Sequence, residues 1–353
     1  MMNGTQHRGI PLADARRHPL SKATLGLLPA VLILALSQSA VARAPDPTKV
    51  VGATECAECH KEETETWKKT RHYKTFKELP RNKDGRKIAK ALGMRRVRSE
   101  GLCLTCHFSS KEENGKAKPV AGISCESCHS PAEDWIKRHS EYSGKKKETE
   151  TPAEAKQRWI DAEAAGMIRP KMIYALTKNC YGCHIVPEEK LVNEGGHPAG
   201  SPFELVRWSQ GEVRHNTWHN SGAENRPLSQ ERLRLFYAVG VAVELENSLR
   251  ALSKATQKDR FAVTMAKRVQ IARLRARRLA RATKDPDLVA LARAASGAKL
   301  SLSQAKSLAG IADLVAKAAQ AFADKHDGSK LAAIDRFLPK PAAHKGDTRA
   351  PGS

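Results

Sequence analysis

Apolar positions are grouped unevenly along the chain. Leu25 to Leu36 form one unbroken apolar run, too short to span a bilayer comfortably. Lys61 to Leu79 is charged and free of Gly and Pro, which predicts a helix with Trp67, Tyr73 and Phe76 as its apolar contacts. A short helix is expected over Lys87 to Met94. A loop or short hairpin is expected over 108–122, where Gly115, Pro119 and Gly122 fall. Pro152 to Met167 reads as a helix with Thr151 as N-cap and Pro152 in first position. From Ser229 to about Ala323 the spacing is helical throughout and predicts three or four helices. These run from Ser229 to about Ala255 and from Asp259 to Ala282, then from Asp285-Pro286, then from Ser301 to before Gly328. In the second, Phe261, Met265, Val269, Ile271 and Leu274 are expected to face a core. Arg268, Arg273, Arg275, Arg277, Arg278 and Arg281 cover much of the remainder, as a solvated face or a docking face for an acidic partner.

The fold class expected is mainly α, with little regular structure between helices in the first part and a helical hairpin or bundle at the end. The segments expected are a signal peptide over 1–44, a first domain over 45–227, a helical region over 228–337 and a disordered tail over 338–353. Arg8, Arg16, Arg17 and Lys22 give the leader a positive start, and Ala40-Val41-Ala42 a small-x-small cleavage site. Export to the periplasm is therefore expected, with anchoring through an uncleaved leader as the lesser reading.

All eight cysteines lie between Cys56 and His184, each in a Cys-x-x-Cys-His pentapeptide. The four copies are Cys56–His60, Cys103–His107, Cys125–His129 and Cys180–His184. This is the attachment signal for c-type haem. Two thiols bond the vinyl groups of one porphyrin, and the next residue's imidazole is the proximal iron ligand. A redox dithiol or a zinc site would not require His after each pair, nor fourfold repetition. The sequence thus predicts four covalently bound haem c groups, on Cys56 and Cys59, Cys103 and Cys106, Cys125 and Cys128, and Cys180 and Cys183. Cofactor surface also accounts for a 5% aromatic content. The third motif follows the second by 22 residues, so their haems are expected to be neighbours.

Histidine supply sharpens this. Of 13 histidines, His7 and His18 belong to the leader, and His326 and His344 lie in or beside the tail. Four are proximal ligands: His60, His107, His129 and His184. The remainder inside the motif region are His72, His139, His197, His215 and His219, against at most four distal positions. His72 follows His60 by 12 residues. On an unbroken helix that is about 18 Å, at roughly 1.5 Å per residue, so His72 would not complete its own haem. His215 and His219 stand at i and i+4. One is expected as a distal ligand, and the other at the surface or behind a ligand. Met94 and Met172 are alternative distal ligands, or packing residues.

Residues 60–76 (HKEETETWKKTRHYKTF) and 122–139 (GISCESCHSPAEDWIKRH) resemble the type-554 tetrahaem cytochromes c of ammonia-oxidising bacteria and their relatives. The resemblance covers roughly residues 50–225 and does not extend to Ser229–Ala323. It implies crossed ligation: His60 with His139, His129 with His72, and His184 with a downstream His, for which His215 fits best. In that family the second haem has no distal ligand. Here His197 is a candidate for the position, so the site at His107 is either open or filled.

The net charge of +23 suggests an acidic redox partner or peripheral contact with an anionic membrane surface. Nucleic acid does not fit an exported chain. Two functions are consistent with the sequence: an electron carrier using four bis-histidine haems, or a reductase of a small nitrogen oxide at an open iron. A structural or sensory module is a third class, with little in the sequence to favour it.

Overall fold

The computed structural model describes residues 45–99 and 101–346. The expected leader and residues 347–353 lie outside them.

The attachment region is a string of short helices. The first motif starts in α1 (Ala53–Ala57) and runs into α2 (Lys61–Lys69), with His60 as N-cap. The helix expected to continue to Leu79 breaks at Thr70. This residue is extended, at φ −75° and ψ 159°, and caps α3 (Arg71–Glu78) by accepting from the Tyr73 amide. A threonine hydroxyl competes with the helical backbone for hydrogen bonds in this way. The break re-aims His72. Behind it, Gly122 allows close backbone contact: a Cβ there would lie 2.1 Å from the His72 carbonyl oxygen.

Next come α4 (Lys83–Ala91), α5 (Gly101–His107) with the second motif, and a hairpin of β1 (Ser109–Glu113) and β2 (Lys116–Ala121). The third motif is α6 (Cys125–His129), and α7 (Ile136–Ser140) carries His139. Helix α8 (Pro152–Ala164) starts at the predicted cap. Thr151 accepts from the Glu154 amide, and Glu154 accepts back from the Thr151 amide. The fourth motif ends α9 (Ile173–His184), followed by α10 (Glu189–Asn193) and α11 (Leu205–Ser209).

Four longer helices follow: α12 (Gln230–Ser253), α13 (Arg260–Thr283), α14 (Pro286–Ser296) and α15 (Ala305–Lys325). Ser229, Asp259 and Asp285 cap the first three, where the sequence places their starts. Phe261, Met265 and Val269 are fully buried. Ile271 and Leu274, expected beside them, are each 49% exposed. Ala272, Ala276 and Leu279 take the core face instead, and alanines let neighbouring helices approach closely. Arg268 and Arg275 are not simply solvated, because both bond Glu244 on α12.

One hydrophobic core joins this bundle to the fourth motif, running from Ile173 and Tyr181 on α9 to Ile334. Glu246 on α12, wholly buried, pairs with Lys178 at 2.8 Å and accepts from the Tyr174 hydroxyl at 2.7 Å, both on α9. Gly240 on α12 leaves room for α11, since a Cβ there would lie 2.9 Å from Leu205 Cβ.

Residues 338–346, expected to be disordered, are bonded to α11 and the turn after it. The Lys345 amide donates to Arg207 O at 2.9 Å, and Lys345 O accepts from the Glu212 amide at 2.7 Å. Backbone pairing of an extended segment needs no sequence signature, which is why composition missed it. Among the described residues no helix is long and apolar enough to cross a membrane.

Candidate haem-binding site

Four histidine pairs define the site. His60 faces His139 with ring centroids 6.4 Å apart. His72 faces His184, His107 faces His197, and His129 faces His215, each at 6.2 Å. Each pair contains one motif histidine. Rings in direct contact elsewhere in the site lie closer, as His184 and Phe203 do at 4.4 Å or His60 and Trp218 at 4.7 Å.

The spacing fits one iron between each pair. Two metal–nitrogen bonds of about 2.0 Å, plus roughly 1.1 Å from each nitrogen to its ring centre, add to about 6.2 Å. The residues present therefore fit an iron porphyrin at each motif, where the two cysteines would anchor it and the paired imidazoles would hold its iron.

Local bonding fixes several rings. His129 Nδ1 lies 2.8 Å from Ile168 O, His197 Nδ1 2.8 Å from Pro198 O, and His215 Nδ1 2.7 Å from Val213 O. His184 Nδ1 lies 2.9 Å from Ser201 Oγ. A proton held on Nδ1 leaves Nε2 free to bind metal. His60 Nδ1 is 3.6 Å from the Glu63 carboxylate, whose other oxygen accepts from the Thr217 hydroxyl. Burial favours neutral imidazole, the ligating form. Burial, helped by neighbouring histidines, lowers His107, His129 and His184 to about 4. Burial lowers His72 and His139 too.

The motifs also touch one another. The Cys56 side chain lies within hydrogen-bonding reach of Cys125, and that of Cys106 within reach of Cys183, all four as free thiols. Asn179 Nδ2 donates to Cys128 O at 2.8 Å, tying the third motif to the fourth. Motifs one and three, three and four, and four and two are thus neighbours. The second and third motifs, close in sequence, are linked just behind the second, where the Ser109 hydroxyl meets Ser127 Oγ at 2.9 Å.

The sequence reading and the structure agree on His60 with His139. They differ on two pairs. The resemblance implied His129 with His72 and His184 with His215. The structure exchanges the partners, placing His72 opposite His184 and His215 opposite His129. The break at Thr70 and the close approach at Gly122 set the direction of His72, and neither is visible in the spacing of histidines. His219 is exposed and faces none of the motif histidines. Among the described residues no group of three or more His, Cys, Asp or Glu side chains, at His215 and His219 or elsewhere, is arranged to hold a metal ion. Met94 packs against the small cluster around Phe108, and Met172 Sδ accepts from the Arg169 amide at 3.4 Å. Trp218 gave no signal in the sequence. It is 58% exposed and lies against the His60 ring.

Residues 55–130 match the family described as Cytochrome c554 and c-prime. The chain is 32% identical over 136 residues to cytochrome c-554 of Nitrosomonas europaea, across 34% of this chain and 56% of that relative. It therefore spans little more than half of the relative's length. No solved structure matches the chain. With attachment pentapeptides, paired imidazoles and these similarities together, the first three motifs lie in a stretch similar to the cytochrome c554 family, and that similarity implies covalently bound haem c.

Proposed function

We propose that the protein is an exported, periplasmic tetrahaem cytochrome that carries electrons between redox partners. The observation that carries this reading is the fourfold pairing of motif histidines with a second histidine at 6.2–6.4 Å. On this reading His60 and His139, His107 and His197, His129 and His215, and His184 and His72 are the axial pairs. An iron held on both sides has no coordination position for substrate, which favours transport over reduction of a small nitrogen oxide. The motif contacts string the four sites in the order one, three, four, two, a continuous relay. The net charge of +23 suits an acidic partner and long-range steering toward it.

Two measurements on the purified protein test this. Intact mass is expected to show four haem increments on the chain. The reduced protein is expected to bind carbon monoxide only slowly, because a histidine must leave first. Fewer than four increments, or prompt stoichiometric carbon monoxide binding, contradicts the reading.

A further inference from the structure

His197 sits on the segment after α10, and this segment is fastened from outside by residues 256–268. The Glu189 carboxylate accepts from the Thr256 amide and hydroxyl, at 2.9 and 2.8 Å, and from the Gln257 amide at 3.1 Å. Asn193 Oδ1 accepts from the Phe261 amide at 3.0 Å. Arg260 Nη2 donates to Val192 O and, at 2.7 Å, to His197 O. Further along the same helix, Arg268 Nη1 donates to Ser201 O at 2.9 Å, and Ser201 Oγ in turn meets His184 Nδ1. The span from 189 to 201 is thus tied at four places, and two of the ties are arginines on carbonyls beside axial histidines. All four come from the helical region outside the family match.

We infer that the start of α13 is a latch on the second site: Arg260 holds His197 opposite His107 and so keeps that iron six-coordinate. The inference rests on the reading of four bis-histidine sites. Arginine donating to carbonyl oxygen is a charge-assisted bond, among the stronger kinds available to a side chain. Its removal shifts the balance between bound and released His197 by about tenfold or more. Gly196, at φ +74°, supplies a backbone pivot next to the ligand. Arg260 itself is exposed, so its truncation leaves the buried Phe261 and Met265 in place. It is a positioning residue, acting on iron only through His197.

The test is the rate of carbon monoxide uptake by the full chain, with its haems attached and reduced, compared across variants. His197→Ala serves as the reference for an open second site and fixes the spectrum of its adduct. Arg260→Ala is expected to form that same adduct about ten times faster than the unaltered protein. Arg260→Lys keeps the charge but not the fixed direction of the two Nη2 hydrogens, and is expected to raise the rate less. Arg277→Ala, 17 residues along α13 and about 25 Å away at roughly 1.5 Å per residue, removes the same charge and is expected to change nothing. Unaltered rates in both Arg260 variants overturn the latch while leaving the four paired sites standing. An equal rise in Arg277→Ala also overturns it, because net charge is then the cause. Prompt binding by the unaltered protein overturns the bis-histidine reading itself, and the latch with it.

Discussion

The attachment region and the helical bundle have different interiors. In α12 to α15 the core is made of side chains: Leu245, Phe261, Met265, Leu279, Val315 and Phe322 are all essentially inaccessible. Among the described residues of 45–140 the buried apolar residues that cluster are Ala89, Val97, Cys103, Leu104 and Phe108. The remaining interior there is lined by histidine rings, thiols and hydroxyls such as the Ser109–Ser124 pair. A side-chain core stabilises its own fold in proportion to the apolar area it removes from water. The attachment region has little such area until porphyrin supplies it. The difference predicts that the bundle folds on its own residues, whereas the attachment region depends on its cofactor.

The largest expected effect follows from removing the cofactor. Full-length chain produced without haem attachment is expected to keep the helices of 230–325 and to lose ordered structure around the first three motifs. Limited proteolysis with fragment mapping checks this, since early cuts should fall between residues 53 and 170. Equal protection of both regions would erase the contrast.

A smaller effect is expected where the regions meet. Glu246 is fully buried between Lys178 and Arg250, whose side chains are only 14% and 12% exposed. Glu246→Ala strands those charges and is expected to cost about 3–5 kcal/mol, the usual penalty for breaking a buried pair. Denaturant unfolding followed by circular dichroism reads the loss. Because Lys178 and Tyr174 belong to the helix of the fourth motif, the haem absorbance should change in the same transition. Separate transitions for helix and haem would mean that the bundle and α9 are not energetically joined.

The sequence made the local features legible and left the long-range ones hidden. Caps at Thr151, Ser229, Asp259 and Asp285 depend on residues one to three apart, and each helix starts where its cap stands. The pentapeptides were equally plain, because attachment chemistry is a local constraint. The pairing of His72 with His184 spans 112 positions and depends on how α3 meets α9, which no spacing rule encodes. Thr70 looked like one polar residue on a charged helix, yet its hydroxyl ends that helix. Ile271 and Leu274 satisfied a helical period, but the alanines beside them permitted the closer approach and took the core. Arg268 reads as part of a basic face, solvated or docking, and nothing in the sequence singles out Arg260. Their bonds to carbonyls at 192, 197 and 201 become visible only with the backbone in place.

The central claim is that every iron is held by two histidines, and low-temperature EPR of the oxidised protein tests it most directly. Four low-spin ferric signals are expected, with no high-spin component. Their anisotropy should follow the angles between paired rings, which run from 12° for His60 and His139 to 84° for His129 and His215. The near-parallel pair should give an ordinary rhombic spectrum, and the near-perpendicular pair the largest principal g value. A high-spin signal accounting for one of the four irons would contradict the claim.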